Sequence, residues 1–188
     1  METKLTARVL VGLILFAGFF PLYGADTRNV HIEVNVIIDG SAALSSVRDD
    51  IAAWISGDLL DSRLREGDRI TIWNAGAKAE TVYSGALKSD ADKEDVKKTL
   101  KSLSAGGDTA DFAGALREAA LRSAGKGIVY TLLVSASQAA ISSALQSPAA
   151  RLIRFSRLQE SRGWQVLLVA LNIESRVRQA AAAYFADA

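Results

Sequence analysis

The 188-residue chain has no cysteine. That excludes disulfides, thiolate metal sites, cysteine nucleophiles and a lipid-modified cysteine anchor together. It has a single histidine, His31, so a Ser-His-Asp triad or a multi-histidine zinc site would have to be built around that one residue. No G-x-S-x-G elbow, G-x-x-x-x-G-K phosphate loop or dinucleotide fingerprint follows any apolar run, which argues against a hydrolase or a nucleotide-using enzyme. Internal repeats and low-complexity linkers are also missing. What is present is ordinary for one folded domain. Hydrophobic residues make up 49% and charged residues 23%, so the chain is neither disordered nor fibrous.

The first residues stand apart from the rest. Lys4 and Arg8 precede the apolar stretch "VLVGLILFAGFF", which ends at Pro21 and the small-residue segment "LYGAD". This is the layout of a secretory signal peptide. The expected division is a signal peptide over residues 1–25 and one domain over residues 26–188, placed in the periplasm or secreted. The apolar stretch is shorter than the ~20 residues that span a bilayer. Extended through "PLY", it leaves an uncleaved membrane anchor as the alternative. The whole chain has 22 basic and 21 acidic side chains, and the leader holds Lys4, Arg8 and Glu2. The remainder is therefore balanced and offers no general attraction to nucleic acid.

From Asn29 onward, strand-like and helix-like stretches alternate. "VHIEVNVIID" is β-branched and reads as a buried strand ending in Asp39. In "SSVRDDIAAWISGDLLDSRL", Val47, Ile51, Trp54 and Ile55 share one helical face, with Arg48, Asp49 and Asp50 on the other. "EGDRITIWNAG" and "KAETVYSGAL" are strands separated by too few residues for a parallel crossover, so they form an antiparallel hairpin. "SDADKEDVKKTLKSL" is a helix with Ser89 or Asp90 as its cap and lysines toward its end. "AGALREAALRSAG" is a helix stopped by Gly125, and "GIVYTLLVSAS" is an apolar strand. A helix opening near Pro148, the strand "WQVLLVALN" and the helix "ESRVRQAAAAYFADA" complete the order. The fold class is α/β: a doubly wound, mostly parallel open sheet flanked by helices on both faces, with one antiparallel hairpin strand. Ligands of such sheets bind beyond the carboxyl ends of the strands, where the loops after Asp39, Leu103 and Val134 are expected to meet.

In this element order and these three loops, the chain from about Val30 to its C-terminus resembles a von Willebrand factor type A domain. The resemblance implies a metal-ion-dependent adhesion site. Such a site combines an Asp-x-Ser-x-Ser loop after the first strand, a threonine in a glycine-rich loop and an aspartate after a later strand. Together they hold Mg²⁺ or Mn²⁺, and a partner carboxylate completes the octahedron. By resemblance, Asp39 matches the first aspartate, Ser41 the first serine and Thr109 the threonine. Two positions depart from the pattern. Ala43 stands where the second serine belongs, and Ala136 where the later aspartate belongs, with a serine on either side.

A methyl group cannot ligate a cation, and hard-cation affinity follows ligand charge count. The expectation is a degenerate site in which Asp39, Ser41 and Thr109 bond to local backbone. A residual Mg²⁺ or Mn²⁺ site on the same three residues is the alternative. Asp108 and Asp111, on either side of Thr109, read first as helix caps. No catalytic residue and no other cofactor are expected.

The remaining features have structural readings. Arg151, Arg154, Arg157 and Arg162 form a solvated helix face rather than a surface for an acidic partner or anionic lipid. His31 is a structural strand-edge residue, and Trp54, Trp73 and Trp164 are packing residues. The resemblance implies one more strand and helix than the C-terminus supplies, which would leave the edge after "WQVLLVALN" open to association. The functional expectation is an exported, non-enzymatic module that binds a protein or cell-envelope partner. It would touch a membrane only through an uncleaved leader. A structural subunit of an envelope assembly is the second reading, and an α/β hydrolytic enzyme the third.

Overall fold

A computed structural model describes residues 28–123, 128–137 and 164–170. The leader, the helix bearing Arg151, Arg154, Arg157 and Arg162, the Gly125 stop and the C-terminal helix lie outside the described residues. Among the described residues, no helix is long and apolar enough to cross a membrane.

Among the described residues, five strands form one sheet: β1 (Ile32–Asp39), β2 (Arg69–Ala75), β3 (Ala79–Ala86), β4 (Ile128–Ser135) and β5 (Trp164–Ala170). Their spatial order is β3-β2-β1-β4-β5. β1 pairs in parallel with both β2 and β4, β4 pairs in parallel with β5, and only β2–β3 is antiparallel. This is the arrangement expected from the sequence. Every residue of β1 is buried, which explains why its sequence is almost continuously apolar rather than alternating. The chain leaves β1 toward β2 and β3, then returns to place β4 on the other side of β1. The connections therefore change direction between β1 and β4.

Two cores follow from strand alternation. Val34, Val36 and Ile38 of β1 pack on one face with Ile70, Ile72, Leu132 and Val134. That face is covered by the helical segment between β1 and β2 and by α2 (Asp90–Ser102). On the other face, Ile37, Trp73, Ala75 and Leu133 pack against Phe112, Ala115, Leu116 and Ala119 of α3 (Phe112–Ser123). Trp73 is thus a packing residue, as expected, and the Arg122 guanidinium lies 4.8 Å from its ring centroid.

The stretch expected as one amphipathic α-helix has three parts: a 3₁₀ segment (Ala42–Val47), α1 (Arg48–Trp54) and a π-helical segment (Ile55–Asp61). The spacing of its core residues gives the reason. Ile51, Ile55 and Leu59 are all buried and recur every four residues. On a 3.6-residue turn each such step drifts about 40°. Wider turns keep all three over the sheet. Ser56 and Ser62 hydroxyls donate back to the Ala52 and Gly57 carbonyls along this segment.

β3 carries one residue more than its partner. Ile72 faces Tyr83 and Trp73 faces Thr81, so Val82 forms a β-bulge. Such a bulge twists an edge strand and discourages pairing with another chain.

α2 starts after Ser89, one of the two expected caps, but the Ser89 side chain does not bond the helix backbone. The Ser89 hydroxyl and the Lys88 N–H both donate to Asp92 Oδ2, at 3.0 and 2.8 Å. The Lys88 N–H, and after it the Ser89 hydroxyl, lowers the Asp92 pKa from its ordinary value. A carboxylate with a lowered folded-state pKa adds stability above the ordinary carboxylate range and loses it as pH falls through the lowered value. Asp92→Asn is therefore expected to be less stable than wild type at neutral pH, with the gap closing in acid. Urea unfolding along a pH series measures this.

At the amino ends of the strands a buried carboxylate joins the start of β1 to the loop before β2. Asp68 Oδ1 accepts the Ile32 N–H at 2.9 Å. Its Oδ2 accepts the Arg28 guanidinium at 2.9 Å and the Arg65 N–H at 3.0 Å. The Arg65 guanidinium donates to the Val30 carbonyl, adding a further tie. His31 is exposed, with Nδ1 3.8 Å from Asp68 Oδ1, and sits over Gly67, whose positive φ of 91° suits glycine.

Candidate functional site at the carboxyl end of the sheet

Asp39 and Ser135 are the last residues of the adjacent parallel strands β1 and β4, where the connections change direction. Both side chains point to the α3 face by strand parity. Asp39 is 1% exposed and Ser135 0%. The Ser135 hydroxyl donates to Asp39 Oδ2 at 2.6 Å and accepts the Ser137 N–H at 2.8 Å. The chain after Asp39 turns back so that the Ser41 N–H donates to Asp39 Oδ1 at 2.8 Å. Both carboxylate oxygens are thus engaged inside the protein. The 2.6 Å contact lies in the range of a charge-assisted O–H···O⁻ bond.

Backbone bonds join the surrounding loops. Gly40 donates to the Ala75 carbonyl at 2.9 Å, and Gly106 donates to the Gly40 carbonyl at 2.8 Å. Ala42 donates to the Gly107 carbonyl at 2.9 Å, and Asp111 to the Gly76 carbonyl at 2.8 Å. The loops after β1 and after α2 therefore meet at this end, as expected, together with the loop after β2; of the loop expected after Val134, the described residues reach Ser137. Two glycines permit the meeting. Gly107 has φ 86°. At Gly40, a Cβ would overlap Asn74 Oδ1 and come within 2.9 Å of the Gly76 backbone.

The residues singled out by sequence are placed unequally. Asp39 and Ser41 are buried together, whereas Thr109 is exposed in the loop that joins α2 to α3. Asp111 caps α3, its Oδ1 accepting the Gly114 N–H at 2.8 Å, and Asp108 is exposed. Ala43 is exposed, and the Ala136 methyl packs against the core on the α2 face. Ser41 Oγ is buried and has no hydrogen-bond partner among the described residues.

As a cage for Mg²⁺ or Mn²⁺ this donor set falls short. An octahedral hard cation needs several oxygens and gains affinity from fixed negative charge. Here one carboxylate stands at the centre, and both its oxygens already accept protein hydrogen bonds. Methyl groups occupy two of the positions implied by resemblance. Among the described residues, no group of three or more acidic or histidine side chains is gathered to hold a metal.

Ser135 is the residue that sequence reading missed as a participant. Its one signal was a serine closing an otherwise apolar strand. A buried hydroxyl at a strand end needs a partner, but the partner lies on β1, far away in sequence.

No protein-family model matches the sequence, and no curated protein matches it. Solved structures match its fold. A von Willebrand factor type A protein from Catenulispora acidiphila aligns with a TM-score of 0.58 at 17% identity, over 82% of this chain and 37% of that one. Manganese-loaded TRAP protein from Plasmodium vivax aligns with a TM-score of 0.56 at 14% identity, over 81% of this chain and 63% of that one. The conserved hypothetical protein BatB from Bacteroides thetaiotaomicron aligns with a TM-score of 0.54 at 17% identity, over 73% and 65%. This chain spans less than two thirds of each of these neighbours. The fold is von Willebrand factor A-like, as the loop and element order implied.

Proposed function

We propose that this chain is an exported, non-enzymatic, adhesion-type module. It binds a protein or cell-envelope partner through the carboxyl-end loops of its sheet, without a metal ion. The four backbone hydrogen bonds joining those loops carry the reading, because they hold a contact surface in one arrangement before a partner arrives. Preorganisation of this kind lowers the cost of binding. The A-type fold of the neighbours supports a binding role, although fold alone does not assign one. Export rests on the leader, which places the module in the periplasm or outside the cell, or on a membrane if the leader is retained.

The exposed rim of the loop end contains Ala43, Lys78, Asp108 and Thr109. A photo-crosslinking residue at Ala43 or Thr109 in intact cells should capture one partner, while the same probe at exposed Glu94 on α2 should not. Ala43→Arg, at a position with no packing role, is expected to weaken capture about tenfold or more with no change in Tm. Capture from Glu94 or from β3, and not from the loops, would instead favour a structural subunit of an envelope assembly.

A further inference from the structure

We propose that the Ser135 hydroxyl does inside this protein what a bound cation does for a carboxylate: it supplies the positive pole that holds Asp39 and ties the β1 loop to β4. The inference deepens the metal-free part of the function proposed above and rests on it. Asp39 is an ionisable group taken out of water between two strand ends. A buried carboxylate needs compensation from charge or hydrogen bonds. Ser41 N–H compensates Oδ1 from within the same loop, so it cannot hold that loop to anything else. Ser135 compensates Oδ2 from the neighbouring strand. The hydroxyl also accepts the Ser137 N–H at 2.8 Å, and of its two acceptors Asp39 Oδ2 at 2.6 Å is far nearer than the Ser137 carbonyl at 3.4 Å, so its proton goes to Asp39. The bond spans the crevice at which the sheet changes direction, so the loop end has an internal clasp in place of an exchangeable ion.

Two consequences distinguish this positioning role from simple packing. Wild-type loop geometry should be indifferent to divalent cations. Removing the hydroxyl should create a dependence on them, because Asp39 Oδ2 then lacks its donor and a divalent cation can take that place.

The test uses the full chain, with Mn²⁺ alone as the probe. It is read by water-proton relaxation and by thermal unfolding with Mn²⁺ or a chelator. The expected wild-type result is no saturable Mn²⁺ site below about 1 mM and an unmoved Tm. Ser135→Ala should unfold at least about 2–4 °C lower and regain part of that loss in millimolar Mn²⁺. Ser135→Thr, which restores a hydroxyl, should show no Mn²⁺ response. Asp39→Asn should shrink both the cost and the Mn²⁺ response of Ser135→Ala, since the charge being compensated is gone. A saturable micromolar Mn²⁺ site in wild type would overturn the proposal, and so would a Ser135→Ala variant with no Mn²⁺ response. If Ser135→Ala fails to fold, the wild-type titration and the Ser135→Ala cost in the Asp39→Asn background decide the matter. Partner capture from Ala43 is a separate readout, so failure here leaves the binding role intact.

Discussion

Asp68→Ala is expected to destabilise the domain by about 3–5 kcal/mol, the usual cost of removing one partner of a buried ion pair. The size follows from what the carboxylate holds. The Arg28 guanidinium and the N–H groups of Ile32 and Arg65 all converge on it, and its side chain is fully buried. Alanine would strand the Ile32 and Arg65 N–H groups and remove the carboxylate that faces the Arg28 guanidinium, which would keep its bond to the Arg63 carbonyl, and the start of β1 would lose its tie to the loop before β2. Asp68→Asn should be milder, because one amide oxygen still accepts, while the amide nitrogen faces donors and cannot replace the second acceptor. Equilibrium urea unfolding of the three proteins gives the ranking. Equal stability of Asp68→Ala and wild type would contradict the account.

Asp39→Ala should cost about 1–3 kcal/mol for the buried Ser41 N–H it strands, with a further cost for the Ser135 hydroxyl, which as a donor would keep only its 3.4 Å contact with the Ser137 carbonyl. Asp39→Asn should be tolerated better, since its oxygen can keep the Ser41 bond and the Ser135 hydroxyl can accept from the amide. Neither wild type nor Asp39→Asn should respond to a chelator. If wild-type Tm fell on chelation and the Asp39→Asn variant's did not, a resident cation would have to replace the hydrogen-bond account. Thermal unfolding in matched buffers separates the two.

Much of this arrangement could be read from residues alone, because it depends on local pattern. The β-branched run before Asp39 required a strand buried on both faces. The short step between the strands over 69–75 and 79–86 required a hairpin. Asp108 and Asp111, in the turn before a helix, read as caps; Asp111 Oδ1 does accept the Gly114 N–H, whereas Asp108 is exposed. Features set by contact across the chain were not readable. The bulge at Val82 depends on how β3 registers against β2. The π-helical turns depend on which residues the sheet must cover. Asp68 in "EGDRI" resembles any turn aspartate until Arg28 and Ile32 arrive from 40 and 36 residues away. Ser135 looked like a neighbour of the altered position rather than a participant, because its partner is 96 residues distant.

The clasp around Asp68 also sets a direction. It fixes the chain's entry into the fold at one pole, while the contact surface proposed above would lie beyond Asp39 at the other, the length of an eight-residue strand away, or about 25 Å. Whatever is coupled upstream of Arg28, whether a lipid layer, a resin bead or a fused reporter, therefore attaches at the heel of the molecule and leaves the toe free to probe outward.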